Sequence, residues 1–566
     1  MKSFAAKDRP KGVSAVFLLA SSLLAACGPA FSQSSSVNQI LEQKGAAPGQ
    51  TLQQVPREPP APKPSGPSAD IQTGSVPAPS QGGLKVTLKS LALEGNSAFS
   101  AEELQKVVQP DLNTQVDLGG LQAIANKLTE FYREKGYAFA RVIIPAQAIN
   151  DPAEIRMEVI EGRYGKVSVK AADELATLVS PFIRSLQPAG LIQARILERT
   201  TLMLNDLPGI RATPVIRPGT AGGTGDLEYV VQDTGRYSGD ISIDNHGGRY
   251  TGEHRVLGGF SANRVLTLGD EVQLRGMITS ETLWFASGSY SLPINASSLR
   301  ARFSASRTSY EIGKELKPSS IKGTAETVGV GLSYPLIRSQ PANLTLSVDL
   351  QDRRLTTEGA QSEKDKKSAS LRPVSLQFDR SDGFAGGGVL FGAVTRLQGD
   401  LKPGLGLDPL NTAGKYTKTN LDLYRLQRLT ETFTLYGRYS RQWADKNLDS
   451  SEDLGLGGPT SVRAYPSGEG GGDVGWLAQL ELRIAAPHGF APYVFFDAGS
   501  TMVNAKPQPD VRNLKRSIEG AGLGLRYSSE LWSFDAALAK RTKGGAADTD
   551  KFRDDPGFWL TVTRKL

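Results

Sequence analysis

The chain of 566 residues has one cysteine, Cys27, and three histidines, His246, His254 and His488. A single cysteine excludes an internal disulfide and a cysteine metal centre. The histidines are far apart in sequence and carry no ligand spacing, so no metal site is expected. Hydrophobic residues make up only 39%, and past the amino terminus no apolar run is long enough to cross a bilayer as a helix. The chain also lacks a Walker phosphate loop and a Gly-x-Ser-x-Gly nucleophile elbow. Gly329-x-Gly331 and Gly520-x-Gly522-x-Gly524 do not open a helix after a parallel strand. They read as strand glycines beside bulges or aromatic rings. Asp554-Asp555 before Pro556 reads as a solvated turn. No catalytic residue and no cofactor is expected. The net charge is +7, with Lys and Arg dispersed among acids; without a basic block, nucleic acid is not an expected partner.

What the chain does have is 61 glycines and 33 prolines, a composition suited to many strands and turns. At the amino terminus Lys7, Arg9 and Lys11 precede an apolar stretch from Val13 to Ala26. It is too short to span a bilayer and reads as an export signal over residues 1–30. Leu24-Ala25-Ala26-Cys27 resembles a lipoprotein box, which makes Cys27 a candidate for lipidation. Cleavage after Gly28-Pro29-Ala30 is the competing reading. It is preferred, because a chain anchored by its own strands needs no lipid. Residues 31–83 hold a short candidate helix around Val37, Ile40 and Leu41. After it comes a linker carrying Pro56, Pro59, Pro60, Pro62, Pro64 and Pro67, too poor in apolar side chains to fold alone.

Residues 84–164 read as one small α/β unit. Val86-Thr87-Leu88 opens a strand, and Ser100 caps a helix with Glu102 and Glu103 in its first turn. Asp117 caps a second helix whose Leu118, Leu121, Ile124, Ala125, Leu128, Phe131 and Tyr132 share a face, and Gly136 stops it. Two strands follow, the second alternating Ile155, Met157 and Val159 with Glu154, Arg156 and Glu158. Residues 165–233 repeat the order strand, helix, helix, strand, strand.

From 234 to 566 the helical period is gone. Strands with two-residue alternation, such as Leu299-Ala301-Phe303-Ala305 against Arg300-Arg302-Ser304-Ser306, alternate with Gly, Asn, Asp and Pro turns. One face is apolar and the other polar. Alternation alone fits a soluble sandwich or a membrane barrel, but its repetition to the end of the chain favours a barrel. At about twenty residues per strand and turn, this region holds about sixteen antiparallel strands, an even number. The last strand ends Phe558-Trp559-Leu560-Thr561-Val562-Thr563-Arg564-Lys565-Leu566, with Arg564 breaking the apolar face. Arg463 lies in a Gly-rich loop between two such strands, and about thirty residues on Phe495-Phe496-Asp497-Ala498-Gly499 places one acid in a strand. Tyr493, Phe495, Asp497 and Gly499 share one face. A loop cation and a strand anion point to a loop folded back inside the barrel and pinned there.

Two tandem α/β units followed by such a barrel resemble the outer-membrane transporters of two-partner secretion: the haemolysin secretion and activation proteins and their adhesin-exporting relatives. The resemblance covers Leu84 to Leu566. It rests on Leu204-Asn205-Asp206-Leu207-Pro208-Gly209, on Asp244-Asn245-His246-Gly247-Gly248, on Leu268-Gly269-Asp270, and above all on Leu456-Gly457-Gly458 with Val462-Arg463-Ala464-Tyr465 and Phe495-x-Asp497-x-Gly499. It implies two POTRA-like (polypeptide-transport-associated) domains ahead of a transmembrane β-barrel of about sixteen strands. It also implies a plug helix near Val37 to Leu41, and a lumen loop whose tip, Val462, Arg463, Ala464 and Tyr465, meets a barrel wall at Phe495, Asp497 and Gly499. Ala464 stands where the family usually has glycine. Were that backbone at positive φ, alanine would cost about 1 kcal/mol.

The implied function is export of a large secreted partner from the periplasm to the cell surface, with activation of the cargo as an option. The implied partners are an unfolded exoprotein with β-helical repeats, outer-membrane lipid, and the barrel-assembly machinery for the protein's own insertion. A barrel-assembly insertase of the same superfamily is the nearest alternative. A passive porin or receptor is a more distant one and would need neither soluble unit.

Overall fold

The structure is a computed structural model describing residues 61–63 and 85–566, apart from 361, 406–407, 509–512 and 552. The candidate export signal, Cys27 and the candidate plug helix therefore lie outside the described residues.

The first α/β unit comprises β1 (Val86–Glu94), α1 (Ala101–Val108), β2 (Gln115–Val116), α2 (Leu118–Glu134), β3 (Arg141–Ile143) and β4 (Ala153–Ile160), with sheet order β2-β1-β4-β3. Local chemistry sets the helix starts. The Ser100 hydroxyl and the Glu103 carboxylate satisfy each other's backbone N–H, and Asp117 accepts from the Gly120 N–H at 2.8 Å. Leu121, Ile124, Leu128 and Tyr132 of α2 pack on Ile155, Met157 and Val159 of β4, while Glu154, Arg156 and Glu158 face solvent.

The second unit comprises β5 (Arg163–Lys170), α3 (Asp173–Val179), α4 (Ala194–Asn205), β6 (Ile210–Pro218) and β7 (Thr224–Asp233), ordered β5-β7-β6. Glu161 sits at the junction of the two units. It is buried and accepts from the Ser97 and Ala98 N–H groups at 2.6 and 2.7 Å and from the Tyr132 hydroxyl at 3.1 Å.

Sixteen strands form the barrel: β8 (Tyr237–Asp244), β9 (Arg255–Asn263), β10 (Glu271–Thr279), β11 (Trp284–Pro293), β12 (Arg300–Glu311), β13 (Lys322–Arg338), β14 (Ala342–Gly359), β15 (Ser362–Asp382), β16 (Gly388–Lys402), β17 (Gly414–Arg428), β18 (Phe433–Ala444), β19 (Val474–Ile484), β20 (Phe490–Met502), β21 (Lys515–Ser528), β22 (Trp532–Lys543) and β23 (Gly557–Lys565). Each pairs antiparallel with the next, and β23 closes on β8 through Thr561↔Asp244 to Lys565↔Asp240. The number agrees with the even count expected of such barrels. The outer surface exposes Ile243, Phe303, Val328, Leu350, Val494 and Leu538. Closure leaves no open sheet edge, so every strand can lie in hydrocarbon with its backbone paired.

Two of the sequence motifs meet where the second unit docks on the barrel. Asn205 clasps the backbone of Ala212 in both directions, at 2.8 and 3.0 Å, and so holds the end of α4 against β6. Asp206 then accepts two parallel bonds from Arg338 at the end of β13, at 2.9 and 2.8 Å. Leu207 fills the space over Gly269, where a Cβ would come within 2.6 Å of it. Part of the proline-rich segment crosses the same mouth. Lys63 reaches Asp206 with its ammonium and Asp379 with its N–H.

Candidate functional site: an inward loop and its charge clamp

Residues 445–473 join β18 to β19 at the end of the barrel away from the α/β units, and this loop lies inside. Alternation along β20 turns Tyr493, Phe495 and Asp497 inward while Val494 and Phe496 face out. Arg463, at the loop tip, meets this wall. Its Nε and Nη2 donate to the two oxygens of Asp497 at 2.8 and 2.6 Å, and its own N–H donates to Asp497 at 3.1 Å. The guanidinium stacks 3.6 Å over the Phe495 ring. Arg463 is 4% exposed and Asp497 fully buried, so the pair is far drier than a lumen contact between solvated side chains.

Arg463 does not answer to one acid alone. Nη1 donates to Glu481 of β19 at 2.7 Å. Glu481 also accepts from Arg483 at 2.8 Å and from Arg526 at 3.0 Å, and Arg526 passes on to Asp535 at 2.8 Å. Three carboxylates and three guanidiniums thus form one neutral chain over β19 to β22. Glu481 was absent from the residues singled out in the sequence, although a signal for it existed. Counting back from the short turn between β19 and β20 pairs Gln479 with Asp497 and Glu481 with Phe495.

The rest of the tip is fitted as closely. Val462 and Tyr465 are fully buried. The Tyr465 hydroxyl reaches the carbonyls of Lys543 and Gly545 at 2.8 and 3.0 Å, and Trp559 Nε1 donates to the Arg463 carbonyl at 2.6 Å. Ala464 is not among the residues at positive φ, so alanine here carries no left-handed strain. The constraint is steric instead. A Cβ on Gly520 would come within 2.4 Å of the Ala464 Cβ, one on Gly522 within 2.5 Å of Phe495, and one on Gly524 within 2.2 Å of Tyr493. The glycine row of β21 is the seat for the tip and its aromatic floor. Gly499 serves similarly: a Cβ there would meet Leu456 of the loop at 2.8 Å.

Two further ties, neither anticipated from sequence, hold the loop's flanks. Glu469 is fully buried and accepts from Arg516 at 2.7 and 3.0 Å, from the Asp548 and Thr549 N–H groups, and from the Thr549 hydroxyl at 2.7 Å. On the other flank Glu452 pairs with Lys418 of β17 at 2.6 Å and with Arg353 of β14, and Asp449 pairs with Lys367 of β15 at 2.8 Å. The loop is strapped from the β14–β17 wall to the β20–β22 wall, across the lumen. Among the described residues no three His, Cys, Asp or Glu side chains are grouped as a metal would require.

The comparisons with known proteins fit this architecture. Residues 223–527 match the family described as haemolysin secretion/activation protein ShlB/FhaC/HecB, and residues 86–162 match the ShlB-type POTRA domain. The heme/hemopexin transporter protein HuxB of Haemophilus influenzae is 27% identical over 573 residues, covering 98% of this chain and 97% of its own. The outer membrane transporter CdiB of Escherichia coli is 25% identical over 409 residues, 68% of this chain and 67% of that protein. Among solved structures, CdiB from Escherichia coli superposes with a TM-score of 0.70 at 19% identity, covering 94% of this chain and 97% of that one. CdiB from Acinetobacter baumannii gives 0.64 at 18%, covering 94% and 98%. Both structural likenesses establish the fold: a barrel with small α/β domains ahead of it. With more than half of its length matched, and with POTRA units, closed barrel and inward loop in place, this chain belongs to the ShlB/FhaC/HecB haemolysin secretion/activation family, the outer-membrane transporters of two-partner secretion.

Proposed function

We propose that the loop of residues 445–473 is the gate through which this transporter exports its partner protein, with Arg463 as the latch. As a member of its family the protein works in the outer membrane with its POTRA units in the periplasm. The partner arrives there unfolded. An extended partner segment adds to a POTRA sheet edge. The segment then enters the lumen, the strap shifts, and the partner folds outside. That folding withdraws unfolded chain from exchange and gives direction without nucleotide. The leader over residues 1–30 is removed after Ala30, leaving Cys27 out of the mature chain. The domain limits are 84–164, 165–233 and 234–566, with the proline-rich segment as a tether for the plug helix. The partner carries β-helical repeats. The full-length likeness to a heme/hemopexin transporter protein makes a heme- or hemopexin-handling exoprotein the first cargo to test. The barrel itself depends on the barrel-assembly machinery for insertion.

One observation supports the gate above all: the buried two-acid clamp on Arg463, an arrangement costly to build unless the position of the loop matters. The test is secretion of the transporter's exoprotein partner in cells carrying Arg463→Ala. The barrel should still be present in outer membranes and still migrate as a folded, heat-modifiable species, while secreted partner falls at least tenfold. Normal secretion by that variant would remove Arg463 from the mechanism.

A further inference from the structure

The outer face of the barrel carries a group of arginines that export does not use. Along the outward row through Leu376, Val394 and Leu421, each paired to the next, the apolar belt runs into Arg441 on β18. Arg396 on β16 interrupts the next outward row, paired with Val374 on one side and Thr419 on the other. Arg372 on β15 lies one outward position beyond Val374. All three stand on the lipid-facing parity of their strands. Each falls where its row turns from apolar to polar, towards the end of the barrel that holds the inward loop. Arg396 and Arg441 are two strands and two residues apart in register, about 12 Å between backbones.

Among the described residues none of the three forms an ion pair, and Arg441 Nε is buried without a hydrogen-bond partner. Elsewhere on the outer face a cation in a comparable place is matched: Arg307, near Trp284, pairs with Glu326 at 3.1 Å. The outward acids Asp352 and Asp400 lie one outward row further from the belt. There Asp400 stands opposite Lys415, and Asp352 accepts from Ser370. Aromatic side chains frame Arg441. Trp443 follows it on the same face with the guanidinium 5.4 Å from its ring, Tyr439 precedes it, and Trp476 pairs beside it. Tyrosine and tryptophan at the edge of an apolar belt mark the depth of lipid head groups. Unpaired guanidiniums at that depth, rather than in bulk water, call for an anion delivered at the same depth.

We propose that Arg372, Arg396 and Arg441 form a binding site for the phosphorylated head group of an outer-leaflet glycolipid whose acyl chains lie along Val374, Val394 and Leu421. Guanidinium forks match phosphate oxygens bidentately. Three of them spread over β15 to β18 suit a head group with more than one phosphate. The inference rests on the orientation of the barrel in the outer membrane and is independent of the gate.

The probe is bisphosphorylated lipid A. Full-length protein is reconstituted in phosphatidylcholine nanodiscs containing it, exchanged into detergent, and the retained lipid A is quantified by native mass spectrometry. Wild type should retain about one molecule per chain. A variant combining Arg372→Gln, Arg396→Gln and Arg441→Gln should retain at least tenfold less, while Arg307→Gln matches wild type. Dephosphorylated lipid A should not be retained, and excess inorganic phosphate should not displace the bound lipid. Should the triple variant fail to give a heat-modifiable barrel, Arg396→Gln alone is read, with at least a threefold loss expected. Equal retention by the variant, equal retention of the dephosphorylated lipid, or displacement by inorganic phosphate would each overturn the site.

Discussion

Arg463→Ala is the perturbation whose size the structure sets best. It removes the two guanidinium bonds to Asp497 and the one to Glu481, and the two acids are left in different positions. Glu481 keeps Arg483 and Arg526. Asp497 keeps the backbone N–H of residue 463 at 3.1 Å and a long contact from Gln479 at 3.4 Å, but it loses its cation and stays fully buried. Breaking a buried pair by deleting one partner costs about 3–5 kcal/mol. At 1.4 kcal/mol per tenfold, local opening of the tip should rise by roughly two to three orders of magnitude. Hydrogen exchange of the full-length protein reads this directly. The N–H groups of Val462, Tyr465 and Gly458 bond to Leu456, Val462 and Tyr465 within the tip, and these amides should exchange that much faster while barrel amides do not change. Arg463→Ala combined with Asp497→Ala should recover about 1–2 kcal/mol of the loss, because no orphaned acid remains. Arg463→Lys should behave closer to alanine than to wild type, since an ammonium provides neither the fork nor the stack on Phe495. Unchanged tip exchange in a folded Arg463→Ala barrel would refute the reasoning and assign the tip to its Tyr465 and Glu469 ties.

Other perturbations separate the remaining contacts. Gly520→Leu should displace the tip from its seat at a cost of about 1–3 kcal/mol, visible as faster exchange at Ala464 and Tyr465; an unaltered tip would deny the steric role. Glu469→Ala leaves the Asp548 and Thr549 amides without their acceptor, while Arg516 keeps the Gly544 and Ala546 carbonyls; it should cost about 2–3 kcal/mol, read as exchange at those two amides with Arg463 still clamped. Arg338→Ala should loosen the second POTRA unit by removing both bonds to Asp206, so that crosslinking between α4 and the β13–β14 turn falls. Glu161 gives the pH prediction. Burial pushes its carboxyl up, but bonds from Ser97, Ala98 and Tyr132 outweigh burial and hold it below its ordinary value of 4.5. Its contribution is complete above that value and is lost as pH falls through the depressed one. Pulse proteolysis in urea should find the first unit weakening below pH 4.5 in wild type and losing that dependence in Glu161→Gln.

Much of the wall side of the clamp was legible because β structure has a strict period. Phe495, Asp497 and Gly499 had to share a face, and with Val494 and Phe496 on the opposite, apolar face the acid turns to the lumen. The same period was less useful for the loop. Its twenty-odd residues have no repeat, so Glu452 and Glu469 read as ordinary loop acids until the chain is closed around them. Glu481 lay within reach of hairpin counting. Arg516 and Trp559 did not, because each meets the loop through strands far along the chain. The glycine row of β21 read as packing beside aromatics; Gly522 and Gly524 do pack against Phe495 and Tyr493, but the seat that Gly520 makes for Ala464 depends on the loop's depth in the lumen.

Sequence alone determined the class of this protein: helical period in two short units, two-residue period afterwards, and too few apolar residues in a row for any helix to span a membrane. Those are properties of neighbouring side chains and need no long-range information. Only the tertiary structure decided which charges meet, since closing sixteen strands fixes a stagger between walls that no local pattern encodes. Once that stagger is set, Arg463 falls between Asp497 and Glu481, and Asp206 beneath Arg338.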